Sequence, residues 1–222
     1  MRKTILALLI LAFCVPLRAD DPPSTAPAAE SKAPEPTFTG KALDIKKKMD
    51  GLFDQSKNVN HLEAKKRTEA RNAIDTALDW DQISEDAVGS GAWKKVAAGN
   101  RSSFRDLLKD VIVRTAYTRL DKFWEGGTTT SYDKIDVQGS KALVSAKFFL
   151  KGEPFSLDYY FHSKGSKWLI YDISFEGERY SVNINEQIAA FLNEKPFAAL
   201  LEKLKKRRAE LMEDAPKPKK KG

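Results

Sequence analysis

The chain has 222 residues, 41% of them hydrophobic and 31% charged, with a single cysteine. That allows about one domain with a real core and argues against intrinsic disorder across the main body. The formal net charge of +7 sits at the ends: Arg2, Lys3 and Arg18 near the start and Lys217, Lys219, Lys220 and Lys221 near the finish account for it. The body between them is neutral and has no basic face of the kind nucleic acid requires, so no nucleic-acid partner is expected.

Residues 1–19 read as a secretory signal. Arg2 and Lys3 precede the apolar run Ile5 to Val15, which is too short to span a bilayer, and Pro16 breaks it before Ala19. A lipoprotein signal ending at Cys14 is the rival reading; the large Phe13 before that cysteine speaks against it. With Cys14 removed the mature chain has no thiol, which excludes disulfides, thiolate metal sites and cysteine nucleophiles. Residues 20–38 form a linker rich in Pro and Ala. The domain itself is expected over residues 39–213, followed by a basic, disordered tail over 214–222.

The first helix is predicted over 40–56, with Ala42, Ile45, Met49, Leu52 and Phe53 on one stripe. A second is predicted over 61–78, with Asn60 as N-cap and Glu63 three residues later. A region of short helices follows, in which Trp93 is an apolar plug and Arg101 a structural hydrogen-bond donor. Residues 102–124 give the longest helix, whose stripe of Phe104, Leu108, Ile112 and neighbours is wider than one packing contact needs.

The period then changes to two. Strands are predicted over 128–137 and 141–151, the second with Val144, Ala146, Phe148 and Leu150 on one face. Phe155, Leu157, Tyr159 and Phe161 mark a third strand. Trp168 to Phe175 forms a fourth, with Leu169, Tyr171, Ile173 and Phe175 on one face and Trp168, Ile170, Asp172 and Ser174 on the other. Short turns between successive strands mean an antiparallel meander. Two last helices are predicted over 181–193 and 196–211; Tyr180, Ile184 and Ile188 set the spacing of the first. The fold class is therefore α+β: helices packed on the concave face of a curved four-stranded antiparallel sheet, in the manner of the NTF2-like cone.

No catalytic constellation, cofactor motif or metal site is expected. His61 and His162 lie far apart in different settings, and no nucleotide-binding glycine pattern occurs. Asp172 and Glu176 share a strand face but stand about 13 Å apart by the strand rise, too far to act on one small substrate. Asp172, among apolar neighbours, is expected to accept hydrogen bonds from nearby backbone or tyrosine hydroxyls, because an unpaired buried carboxylate is costly.

The stretch Trp168, Ile170, Tyr171, Asp172, Ile173, Glu176 and Gly177 resembles the Trp-x-[Val/Ile]-Tyr-Asp-[Val/Ile]-x-x-Glu-Gly core of the MlaC, or toluene-tolerance, family. Ala87-Val88-Gly89, Trp93, Arg101 and Phe104 fit the same pattern upstream, with one extra residue between Gly89 and Trp93; Asn183 and Gln187 fit it downstream. The family's usual Gly-Val-Ser-Leu is here Gly177-Glu178-Arg179-Tyr180, and its Tyr-Arg pair is Ile184-Asn185. The resemblance extends over roughly residues 40–208.

It implies a periplasmic carrier that holds phospholipid acyl chains in an apolar cavity and leaves the head group in water. The implied partners are phospholipid, an outer-membrane lipoprotein–porin complex and an inner-membrane ABC transporter with an MCE subunit. The candidate lipid-binding residues are Phe104, Leu108 and Ile112 on the long helix and Ala146, Phe148, Leu157, Tyr159, Tyr171, Ile173 and Phe175 on the sheet. The residues alone favour closure of these side chains into a dry core; the resemblance favours an open one. Three further readings stand beside this one. They are an NTF2-like small-molecule enzyme, a carrier of another apolar lipid such as a hopanoid, and an interaction protein whose lysine tail touches anionic lipid or wall polymer.

Overall fold

The computed structural model describes residues 36–57, 59–125, 127–150 and 153–213. The predicted signal, most of the linker and the basic tail lie outside them. Helices come first: α1 (Gly40–Lys57), α2 (Ala64–Asp75), α3 (Trp80–Val88), α4 (Ser90–Trp93) and α5 (Ala98–Glu125). The strands follow as β1 (Thr129–Gln138), β2 (Lys141–Leu150), β3 (Glu153–Lys164), β4 (Lys167–Phe175) and β5 (Glu178–Arg179), and α6 (Tyr180–Glu194) and α7 (Phe197–Glu213) close the chain. The sheet is an antiparallel meander in the order β1-β2-β3-β4-β5.

The fifth strand is an addition to the four expected. Glu176 (φ 48°) and Gly177 (φ 84°) turn the chain so tightly that Glu178 pairs with Phe175 and Arg179 with Ser174. Two consecutive residues with positive φ suit a two-residue hairpin turn, and a strand of two residues is too short to have a readable period.

Two large apolar clusters make up most of the interior, beside a small third one of Val59, Ala70 and Tyr117 between α2 and α5. One joins α1 to the sheet: Ile45 and Met49 pack with Val144, Ala146, Phe148, Leu157 and Phe161. The other lies within the helices, where Phe104, Leu108 and Val111 of α5 meet Ile184 and Ile188 of α6 and Leu200 and Leu204 of α7. Because α5 is 28 residues long, it reaches both: Phe123 near its end belongs to the sheet cluster.

Two local expectations change. The second helix begins at Ala64, and its N-cap residue Glu63 makes no side-chain cap bond. Asn60 is engaged elsewhere: its amide donates to the Tyr117 carbonyl at 2.6 Å and its side-chain oxygen accepts from Arg71 at 3.0 Å. The second change is in β4. Opposite β3, Phe175 pairs with Leu157, Ile173 with Tyr159 and Ile170 with Phe161, while Asp172 pairs with Tyr160. Directly opposed residues share a face, so Ile170 joins the row of Ile173 and Phe175. Tyr171, expected in that row, is the extra residue of a bulge. Its ring lies 5.1 Å from His162 and 6.3 Å from Tyr160.

Candidate functional site

Two buried carboxylates hang helices on the sheet. Asp79 caps α3, accepting from the Gln82 amide at 3.2 Å, and also pairs with His162 Nε2 at 2.8 Å and accepts from Lys164 Nζ at 3.2 Å, both on β3. The chain just before α3 runs alongside β4: the Asp79 amide donates to the Ile170 carbonyl at 2.8 Å and the Ile170 amide to the Ala77 carbonyl at 2.9 Å. Asp172 performs the matching task for α6. It accepts from the Ser181 amide at 3.0 Å, the Ser181 hydroxyl at 2.6 Å, Arg179 Nε at 2.6 Å and its neighbour Ile173's amide at 2.9 Å. Residue 179, the N-cap of α6, makes no side-chain cap bond, so Asp172 supplies from the sheet both the acceptor and the negative charge that a helix start favours. The sequence-based expectation for Asp172 holds for the backbone donors; the remaining donors are an arginine and a serine, not a tyrosine.

Between the two anchors lies a narrow, partly open cavity of about 70 Å³. Leu78, Trp80 and Ile83 line it from the α3 side, Ile112 from α5, and Tyr180, Ser181 and Ile184 from α6; residues 170–173 of β4 form its floor. Its surface is almost wholly apolar, as a site for hydrocarbon requires. A second hollow, of about 530 Å³, opens to solvent where Val88, Val96, Leu192 and Phe197 meet, with Lys95 and Asn100 on its lining. It shares no residue with the first cavity.

Of the residues expected to bind lipid, Ile112, Tyr171 and Ile173 line the narrow cavity. Phe104 and Leu108 are buried in the helical cluster. Ala146, Phe148, Leu157 and Tyr159 are buried between α1 and the sheet, with Phe175 packed against them. The structure thus brings the three cavity residues together beside β4 and places the others in packed interiors. Eight lining residues are missing from the expectation, among them Trp80, Ile83, Tyr180 and Ile184. Tyr180 and Ile184 carried a signal, their four-residue spacing in an amphipathic helix, but spacing gives the buried face and not what that face meets.

The electrostatics belong to anchoring. Burial alone would raise the Asp79 carboxyl; the Gln82 amide, His162 and Lys164 outweigh it and hold this group below the usual carboxylate range. Burial likewise works against the charge on Arg179, and the hydrogen bond and charge of Asp172 overcome it, raising this guanidinium's pKa. The guanidinium also lies 4.4 Å from the Tyr160 ring centroid. Arg101 behaves as expected: it donates to the Val96 and Lys94 carbonyls at 2.8 and 3.0 Å and sits over the Trp93 ring. Among the described residues no group of His, Asp and Glu is arranged to hold a metal ion, and no helix is long and apolar enough to cross a membrane.

A mixed fold of helices over an open antiparallel sheet, with an apolar cavity between β4 and the helices, defines a class of α+β domains with a hydrocarbon-compatible interior. The profile of the MlaC protein family matches residues 46–206, most of the chain, and the protein belongs to that family. Among solved structures, the phospholipid-binding protein from Ralstonia solanacearum in complex with a phospholipid has the same fold. The TM-score is 0.67 at 20% identity, over 78% of this chain and 99% of that one. No curated protein matches the sequence.

Proposed function

We propose that the protein is a periplasmic carrier that holds phospholipid by its acyl chains in the seam between β4 and helices α3, α5 and α6. In this reading residues 1–19 direct export. The carrier then passes lipid between an outer-membrane lipoprotein–porin complex and an inner-membrane ABC transporter with an MCE subunit. The observation that carries the reading is the apolar cavity inside the region that matches the MlaC family, with Ile170 to Ile173 as its floor. The phospholipid held by the Ralstonia solanacearum protein of like fold supports it.

The cavity's 70 Å³ is far below the roughly 300–1,000 Å³ of sites that enclose ligands of drug size. In this reading the structure is the narrow form of the carrier, and loading is expected to move α3 and α6 away from β4. Each methylene taken from water contributes about 0.8 kcal/mol, so a long chain offsets the separation of two apolar walls without any reading of the head group. Acid–base catalysis finds no support here, because Asp172, the carboxylate that lines the cavity, is committed to four donors.

Purification of the protein from a periplasmic extract, followed by solvent extraction and lipid mass spectrometry, tests the reading. Diacyl phospholipid should co-purify with the wild type and be absent from a folded Ile173→Trp variant, whose indole fills the seam. Wild-type protein that neither retains nor takes up lipid would overturn it; recovery of a polycyclic lipid in place of phospholipid would transfer the reading to that cargo.

A further inference from the structure

Tyr180 stands at the start of α6 and lines the narrow cavity. Its hydroxyl is covered in this narrow form and has no protein partner, so a ligand in the seam reaches it only when the seam widens. Among the described residues the other buried side-chain atoms in that condition belong to Arg71, Asp75, Arg114 and Gln187, none of which lines the cavity. A buried hydroxyl without a partner is destabilising, and proteins retain such groups at few places. The polar groups beside it are taken: Asp172 and the Ser181 hydroxyl bond to each other, and Arg179 is held by Asp172.

We infer that the Tyr180 hydroxyl is a recognition group for a neutral acceptor oxygen carried by the cargo next to its hydrocarbon, as the ester carbonyl of an acyl chain supplies. The assignment rests on the carrier reading above and extends it. Burial pushes the Tyr180 phenol well above its ordinary range, so it remains a neutral donor. In an apolar cavity one such donor discriminates strongly, because a cargo lacking the acceptor leaves the hydroxyl unpaired while a cargo bearing it gains a bond shielded from water. The hydroxyl thus weakens the empty protein and is satisfied in the loaded one.

Binding of a diester phosphatidylcholine and of its diether analogue, with equal tails and head group, tests this in wild type and Tyr180→Phe; a hydroxylated polycyclic hydrocarbon is the third probe. The wild type should prefer the diester to the diether by about 5- to 30-fold, the range expected for one buried hydrogen bond. Tyr180→Phe should abolish that preference and raise the melting temperature of the lipid-free protein. A preference for the hydroxylated hydrocarbon over the diether, lost in Tyr180→Phe, also supports the acceptor-oxygen assignment and traces the oxygen to a hydroxyl. Equal affinity of the wild type for diester, diether and hydroxylated probe overturns the inference while leaving the carrier reading standing; binding of none of the three by the wild type overturns both.

Discussion

Beneath α1 the interior is filled by rings. Phe53 lies 5.4 Å from Phe148 and 6.0 Å from Tyr159, and Phe148 stacks on Phe155 at 5.4 Å with 13° between their planes. Beside β4 the side chains are just as apolar, yet Ile112, Ile173 and Ile184 leave a cavity of about 70 Å³ between them. The difference lies in what holds the layers. Below α1 the contact is made by the apolar side chains themselves, which approach until they touch. At β4 the helices are suspended from two carboxylates, Asp79 and Asp172, and the spacing is fixed by short polar bonds at either end of the seam. Polar anchors of set length can keep apolar walls from closing fully.

That contrast is open to a direct test in stability. Phe148 is 1% exposed and touches rings on α1, α5 and β3. Phe148→Ala should therefore destabilise the protein by about 3–5 kcal/mol in urea unfolding. Ile173→Val, which removes one methyl at the wall of an existing cavity, should destabilise it by only about 0.5 kcal/mol. A loss as large at Ile173 as at Phe148 would mean that the seam is packed as tightly as the aromatic interior, and the contrast would not hold.

Of the two anchors, Asp172 should matter more. Its side chain is 2% exposed and its four donors belong to β4, β5 and the first turn of α6. Asp172→Ala leaves Arg179 and the α6 N-terminus without their acceptor, for an expected loss of about 2–3 kcal/mol. The figure is below that for a fully buried ion pair because Arg179 is 39% exposed and water can solvate it. Hydrogen exchange should show faster opening of the first turn of α6 with α1 and β2 unchanged. Uniform acceleration across the chain would instead make Asp172 part of the general core.

The division between filled and suspended interiors was only partly legible in the sequence. Period alone located the elements: the stripe Ile45, Met49, Leu52 and Phe53 and the alternation through Val144, Ala146 and Phe148 describe α1 and β2 as observed. The same alternation misplaces Tyr171, because a bulge adds one residue without altering composition, and every side chain beyond it changes face. The cavity was hidden for a different reason. Phe148 and Ile173 both read as inward-facing apolar residues, and whether such residues close on a partner depends on how far apart other groups hold the layers. Here that distance is set by Asp79 and Asp172, about ninety residues apart in sequence. Asp172 could be read as a buried acceptor; its role in starting α6 could not, since it caps from an adjacent strand and not from the helix's own first residues. His162 showed no partner in sequence because its partner, Asp79, belongs to another layer.

The smaller anchor has its own signature in pH. Asp79 is held below the ordinary carboxylate range by Gln82, His162 and Lys164 despite its burial. A carboxyl depressed in the folded state contributes stability that is fully present above its unfolded value, about 3.9, and that is lost as pH falls below this toward the folded value. Wild type should therefore exceed Asp79→Asn in stability by about 1–2 kcal/mol at neutral pH. The gap should narrow from about pH 4 downward, as protonation removes from the wild type the charge that the variant lacks throughout. Thermal unfolding of the two proteins side by side measures the gap directly. A difference that stays constant through this range would mean that Asp79 anchors α3 by the shape of its hydrogen bonds and not by its charge. The two carboxylates would then differ in kind as well as in strength, with Asp172 alone holding a helix through a charge.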